Sequence, residues 1–532
     1  MIKVETKYNF PSEYAEKIGL EYANFTSNEH KKESGQFFTP KSISDFMGNL
    51  AQPKSPEISI LDPGCGTAIL SCSLIEKLIQ KGEILRIDLK LFETDNRIIK
   101  ELNKVVLFLK DWLFEKGIEL NVKIEQTDFV LYNSDAFTYN TLFGNQIFEK
   151  YDYIISNPPY FKIPKSDIRA QVANELVYGQ PNIYSIFMGL SAKLLKPSGE
   201  LIFITPRSFA SGNYFKAFRN SFFNEVNISN IHIFESRNKM FKNDNVLQEN
   251  IIIRASSEKS STIKVTVTTC EKDLRQPDFS IYKTNELIDL ESKEKILFIP
   301  SNVFEAKTIK IFSQWHNSLN DYNIQISTGP VVAFRCKDYL VPDFSSKKNL
   351  AQLIWLHNVK EMEFVFPLKK GIKQSYIIDS TESRKVLLKN KNYILIRRFS
   401  SKDDKNRLIC SPYFASNSEY DRIGIENHLN YVYRPKGELS DEEIWGISAL
   451  FNSKLFDTYF RTFNGNTQVG ASELKQINIP PLEKIILIGG ILKNMVQPSK
   501  IEIENIINNT LFKTPYVKNR RSTSNIERVR VA

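Results

Sequence analysis

The stretch Tyr151-Asp-Tyr-Ile-Ile-Ser-Asn-Pro-Pro-Tyr160 decides the fold class. It opens with the β-branched and aromatic residues of a buried strand and stops at Asn157-Pro158-Pro159-Tyr160. Two prolines cannot continue a strand ladder, so the strand must end there. In an open α/β sheet, ligands bind beyond the carboxyl ends of strands. The turn has parts suited to an amino group on a flat ring. Asn157 offers a side-chain carbonyl as acceptor. Pro158 offers a backbone carbonyl whose direction the rigid turn sets, and Tyr160 offers a face for stacking. An amine of this kind is a poor nucleophile, because its lone pair is delocalised into the ring. Two acceptors on its N–H groups favour a pyramidal nitrogen and aim the lone pair, which is positioning with electrostatic help.

The residues upstream alternate between strand and helix. Residues 11–26 have a helical pattern, with Tyr14, Ile18, Leu20 and Tyr22 among polar residues. The charged stretch 29–34 leads into Gly35-Gln-Phe-Phe-Thr-Pro40. Thr39 is placed to cap, and Pro40 to start, a helix over Lys41 to Leu50. The free N–H groups of that helix start can face a carboxylate. Ile58-Ser-Ile-Leu61 is a short buried strand running into Asp62-Pro-Gly-Cys-Gly-Thr-Ala68, with a helix to about Lys81. Strand, glycine loop and helix open a nucleotide-binding unit. Gly64 and Gly66 permit close approach of a ligand to backbone. No Lys-Ser/Thr follows, which excludes a P-loop. Asp62 suits a cationic ligand group better than a phosphate.

Leu85 to Phe92 reads as the second strand and ends in Glu93-Thr-Asp95, where an acidic side chain commonly accepts from ribose hydroxyls. A helix follows over Asn96 to Lys116, then a strand over Val122 to Gln126 leading to Asp128-Phe129. Asp128 can accept from an aromatic amine, and Asp135 rivals it for that role. Downstream of the Asn-Pro-Pro-Tyr turn, Ile183 to Leu195 is an amphipathic helix containing Phe187, which Pro197-Ser-Gly199 ends. Leu201 to Thr205, Ile231 to Phe234 and Asn250 to Arg254 read as strands, with a helix near Tyr214 to Asn224. The alternation through residue 254 predicts a doubly wound, mainly parallel α/β sheet.

The 532 residues are 42% hydrophobic and 25% charged, enough for two ordinary domains. A net charge of +10 suggests a polyanionic partner. Cys65, Cys72, Cys270, Cys336 and Cys410 are scattered, as are the five histidines, so no metal site is expected. The cysteines read as reduced thiols of a cytoplasmic protein. No signal peptide or membrane span is evident.

Taken in order, residues 35–40, 62–66, 93–95, 128–129 and 157–160 make residues 34–255 resemble the gamma-class adenine-N6 DNA methyltransferases of restriction–modification systems. The resemblance implies a Rossmann-like methyltransferase domain over 34–255 and S-adenosylmethionine as cofactor. Thr39, Asp62 and the Gly64–Gly66 backbone would then hold the methionine moiety, and Glu93 the ribose. Thr94, Phe129 and Phe187 would enclose the cofactor's adenine, with Asp128 on its amine. Asn157, Pro158 and Tyr160 would hold the target adenine, flipped out of duplex DNA, with Phe241 as a second aromatic contact. Ala68 departs from the glycine often found at its position.

Ser256 to Thr262 is a polar break. Beyond it, 263–515 is expected to be a mixed α+β target-recognition domain. Arg335, Arg397, Arg398 and Arg434 are candidates for DNA contact there, and Trp445–Phe460 reads as helical. Residues 1–33 are expected to be a helical segment and 516–532 a basic tail. The expected product is DNA protected from a cognate restriction endonuclease that shares the site, by an enzyme acting as a monomer. The alternatives are methylation of RNA or of protein glutamine, and a fused restriction–modification enzyme.

Overall fold

Strand and helix alternate as the pattern requires, and the described strands up to Lys283 assemble into a nine-stranded sheet. The structure is a computed structural model that describes residues 8–26, 39–137, 148–177, 179, 181–234, 250–341, 349–368, 374–400, 404–464 and 468–512. Strands β1 (Glu57–Asp62), β2 (Arg86–Phe92), β3 (Glu119–Glu125), β4 (Tyr151–Ser156) and β5 (Leu195–Pro206) pair in parallel in the order β3-β2-β1-β4-β5. The sheet continues through β7 (Asn250–Ser256), β6 (Asn227–Phe234), β8 (Thr262–Thr268) and β9 (Asp278–Lys283). Strand β7 runs antiparallel to both β5 and β6. The strand order reverses between β1 and β4, whose register pairs Ile60 with Tyr153 and Leu61 with Ile154. A crevice opens at such a reversal.

Alternation along each strand feeds two cores. Ile60, Tyr153, Ile155, Ile202 and Ile204 face one side, with helices α1 (Pro11–Phe25), α2 (Lys41–Leu50), α3 (Ile69–Lys81) and α4 (Asn96–Phe114). Leu61, Ile154, Leu201 and Phe203 face the other, with α5 (Ile183–Lys193) and α6 (Lys216–Glu225). Helices therefore cover both faces, as a buried parallel sheet needs.

Three local readings are corrected. Pro197-Ser-Gly199 does not end a helix. It forms an irregularity inside β5, where the register jumps from Tyr151–Leu195 to Tyr153–Glu200 and Ser198 takes φ 65°. Pro40 is the N-cap of α2 rather than its first residue. The Trp445–Phe460 stretch is two helices, Asp441–Asn452 and Lys454–Phe463, broken at Ser453.

Two compact units separate, Met1–Ile309 with Thr462–Asn466, and Lys310–Arg461 with Thr467–Ala532. The first runs past the polar break at 256–262, because β8 pairs in parallel with β6 and β9 then pairs with β8. The second has a four-stranded antiparallel sheet of Gln325–Thr328, Leu429–Tyr433, Tyr393–Arg397 and Cys410–Tyr413, in that order. It also has a five-stranded mixed sheet and a set of helices.

Helices α2 and α3 touch through Gly48, where a Cβ would lie 2.8 Å from the Ser73 carbonyl oxygen. Ser44 and Ser73 hydroxyls meet beside it at 2.9 Å. Gly48→Ala is expected to push these helices apart and lower stability by about 1–3 kcal/mol. A fall in the urea unfolding midpoint checks it, and an unchanged midpoint would show that the contact tolerates a methyl group.

Candidate functional site

The crevice at the strand-order reversal holds a cavity of about 520 Å³. Four strand ends build its wall. The β1 loop contributes Pro63 to Thr67, β2 contributes Phe92 to Asn96, β3 contributes Thr127 to Phe129, and β4 contributes Asn157 and Pro159. Thr39 lines it from the start of α2, and Phe187 and Ile183 from α5. Of the residues singled out in the sequence, Thr39, Gly64, Gly66, Glu93, Thr94, Asp128, Phe129, Asn157 and Phe187 thus meet at one cavity. Asp62, Pro158 and Tyr160 are not on its wall, and Asp135 is not either. Phe241 lies outside the described residues.

The glycine loop is held from below and from the side. Asp62 is fully buried. Ser71 donates its hydroxyl to Asp62 Oδ2 at 2.8 Å, while Oδ1 is buried without a hydrogen-bond partner. Burial pushes the Asp62 carboxyl up to about 7. The Ser71 hydroxyl and the Gly64 amide pull the other way, and nearby Glu93 adds a smaller push upward. Glu93 Oε2 accepts the Gly66 N–H at 3.0 Å, and Oε1 accepts the Thr94 and Asp95 N–H groups at 2.8 and 2.9 Å. Burial raises its carboxyl, against those amides. The loop ends at Ala68, which takes φ 60° before α3 begins. A left-handed residue with a Cβ costs roughly 1–2 kcal/mol, which is the physical reason a glycine is favoured there.

The aromatic part of the wall is a stack of tilted and edge-on rings. Phe129 sits 5.1 Å from Phe187 and 5.3 Å from Phe92, centroid to centroid. Asp128 Oδ1 caps the helical turn Phe129–Tyr132 by accepting from Val130 and Leu131. Its Oδ2 lies 3.6 Å from Arg169 Nη1.

Asn157 is fixed on two sides. Its Nδ2 donates to the Thr39 hydroxyl at 3.1 Å, and its Oδ1 accepts from the Tyr160 hydroxyl. Among the described residues nothing hydrogen-bonds the Pro158 carbonyl. The Tyr160 hydroxyl also lies 3.0 Å from the Ile204 carbonyl, and its ring meets Tyr184 edge-on at 6.2 Å. Burial raises that hydroxyl well above its usual range. Tyr160 is therefore tied into the β4–β5 region as well as being a flat surface.

Sequence reasoning missed three contributors. Arg169 lines the cavity, paired with Asp167 at 2.6 Å, and Phe161 lines it within 5.8 Å of that guanidinium. Nothing in their spacing marks them. Helix α1 is the third. Glu16 accepts the Lys41 N–H at 2.7 Å, so part of the α2 helix start is already met by a protein carboxylate. Tyr22 donates to Asp95 Oδ2 at 2.7 Å, and Ser12 bonds the buried Glu76. Leu20, read as apolar face, is exposed.

The candidate arginines are all in the second unit. Arg434 makes a two-pronged pair with Glu443 at 2.7 and 2.8 Å, and donates to the Glu438 carbonyl. These bonds brace the start of Asp441–Asn452. Arg397 donates to the Val359 carbonyl. Arg335 is exposed beside Phe334. Among the described residues there is no cluster of metal-ligating side chains, and no helix is long and apolar enough to cross a membrane.

Comparison with known proteins agrees with this architecture. The sequence model of a family described as Eco57I restriction-modification methylase matches residues 72–241. The chain is 32% identical to the type II methyltransferase M.BsuBI of Bacillus subtilis over 496 residues, 91% of this chain and 95% of that protein. It is 31% identical to the type II methyltransferase M.PstI of Providencia stuartii over 497 residues, 92% and 96% of the two chains. A solved structure of the type IIL restriction-modification enzyme MmeI in complex with DNA has a similar fold. Its TM-score is 0.51 at 11% identity, over 93% of this chain and 72% of that one.

Asp62 gives a pH signature. Its carboxyl moves from an ordinary 3.8 to about 7 in the fold. Between those values the folded protein holds a proton that the unfolded chain has released. Its contribution is complete below pH 4 and fades as pH rises to about 7. Asp62→Asn is expected to remove this slope, gaining on wild type by on the order of a few kcal/mol between pH 4 and pH 8. Urea unfolding at both pH values tests it, and parallel pH profiles would refute the assignment.

Proposed function

The chain belongs to the type II restriction–modification methyltransferases, and from that membership we propose that it methylates the N6 amine of a specific adenine in duplex DNA, with S-adenosylmethionine as donor. The observation that carries this reading is Asn157. Its amide stands on the same cavity wall as the glycine loop, clamped by Thr39 and Tyr160.

When bound, the donor supplies an electrophilic methyl carbon on a sulfonium. The chain's residues divide the rest. The Gly64–Gly66 backbone and Thr39 hold the methionine part. The unpartnered Oδ1 of Asp62 fits a positively charged group, although Asp62 stands behind the wall and acts largely through the loop. Glu93 accepts from a ribose hydroxyl with the lone pair its three amide partners leave. Thr94, Phe129 and Phe187 enclose the adenine ring, and Asp128 Oδ2 takes its amine. At the target base, Asn157 Oδ1 and the Pro158 carbonyl accept the two amine hydrogens, and Tyr160 stacks on the ring, with Phe241 as the proposed partner face. A base inside a duplex cannot reach this turn, so it must be extruded, at roughly a few kcal/mol offset by stacking and hydrogen bonds. The region that the sequence delimited as 263–515, apart from β8 and β9, which belong to the sheet, is proposed to select the site. In a host with a cognate endonuclease that shares this site, the modification protects the DNA.

The test is methyl transfer from labelled S-adenosylmethionine to duplex DNA, followed by nucleoside mass spectrometry. N6-methyladenine at one sequence context is expected. N4-methylcytosine, or label found only in RNA or in glutamine, would overturn the reading. Asn157→Ala is expected to lower transfer by about 10³-fold or more, with duplex affinity held within a few-fold. Undiminished transfer would remove Asn157 from its role.

A further inference from the structure

The second unit carries a side-chain cluster that the cavity does not use. The loop between strands Arg422–Ile425 and Leu429–Tyr433 places His428 at the surface, with its side chain 48% exposed. The carboxylate behind it, Glu426, is only 2% exposed. Glu426 Oε2 accepts the His428 backbone N–H at 2.9 Å, and Oε1 meets His428 Nδ1 at 2.5 Å. An ionised carboxylate can only accept, so Nδ1 carries the proton and Nε2 is left for a ligand. The Phe399 ring lies 4.8 Å from the imidazole, and Arg398 lies 5.7 Å from the centre of Phe399. Arg398 Nη1 donates to the Asn427 carbonyl at 3.0 Å and Nη2 faces Gln468 Oε1 at 3.4 Å, which orients the guanidinium without filling it.

The backbone beneath is rigid. Glu426 N–H bonds Ile354, Asn427 N–H bonds Val331, and Arg398 N–H bonds His428. Gly329 packs so closely that a Cβ would lie 2.3 Å from the Glu426 carbonyl oxygen. The imidazole stays half exposed while its carboxylate partner is buried. Here the fold commits a buried charge and a locked loop to hold an imidazole half in water, beside a guanidinium and an aromatic ring. Preorganised donors and a flat apolar face on a fixed frame are what recognition of a nucleic-acid edge requires.

The geometry points to Arg398, Phe399 and His428 as a contact site for base edges of duplex DNA, with the Arg398 guanidinium donating to guanine N7 and O6 and His428 Nε2 accepting from an exocyclic base amine. This rests on the function proposed above and assigns part of its site selection. His428→Asn is the informative variant, because the shorter amide can still donate to Glu426 while Nε2 is lost. Phe399→Ala is its companion. The probe is the duplex containing the sequence that wild type methylates, with a scrambled duplex of equal length alongside.

Each variant is expected to weaken binding to the methylated-site duplex on the order of tenfold, with S-adenosylmethionine affinity and melting temperature unchanged. Loss on that duplex alone identifies base-edge contact. Equal loss on both duplexes, with a shallower salt dependence, places the contact on phosphates and overturns the base-edge assignment. Binding within twofold of wild type for both variants overturns the assignment. A wild type that binds no duplex DNA overturns instead the function on which it rests.

Discussion

The two-residue parallel ladder between β1 and β4 is the constraint on which the site depends. Ile60 with Tyr153 and Leu61 with Ile154 are its register pairs, and both strands end within two residues of them. A parallel pair puts both carboxyl ends on one edge of the sheet. The loop that begins at Asp62 and the turn that begins at Asn157 must then open side by side. A slip of one residue would turn Leu61 and Ile154 from one core into the other and reverse every apolar contact along both strands. The burial pattern therefore also sets the distance between the glycine loop and the Asn-Pro-Pro-Tyr turn.

Within that frame, polar groups are fixed before any ligand arrives. A side-chain amide has two acceptor lone pairs and two N–H groups, and a free Asn would sample several rotamers. Thr39 takes one N–H group of Asn157 and Tyr160 takes one lone pair. Such placement lowers the reorganisation needed when an amine is aligned for attack. Thr39 thus belongs to two jobs, as part of the cavity wall and as the group that orients the acceptor. Tyr160 likewise joins the turn to the Ile204 carbonyl on β5.

Periodic and punctuated features were legible in the sequence. The strands ending at Asp62, Phe92 and Ser156 declared themselves by apolar runs stopped by glycine, acid or proline. Of the nine singled-out residues that meet at one cavity, all but Thr39 and Phe187 follow a strand end. What the sequence left hidden depends on partners far along the chain. Nothing local distinguishes Arg434, which pairs with Glu443, from an arginine held out to solvent. The polar run Ser256 to Thr262 has the composition of a linker, yet β6 was waiting to pair with β8. Pro197-Ser-Gly199 has helix-stopping chemistry and lies inside a strand, because the sheet absorbs the extra residues as an irregularity.

Helix α1 shows how far the site reaches beyond its motifs. Its residues carry no signature, but Glu16 meets the first N–H of α2, two residues from Thr39, and Tyr22 holds Asp95 at the start of α4. Asp95 also gives its own N–H to Glu93, and Glu93 in turn holds Gly66. A continuous set of hydrogen bonds therefore runs from α1 through the β2 loop to the glycine loop. Carboxylates clustered at one crevice repel each other and are costly to bury unless each is given donors. Tyr22 and the loop amides supply those donors, so the acidic wall keeps its shape, and α1 supports the cavity without lining it.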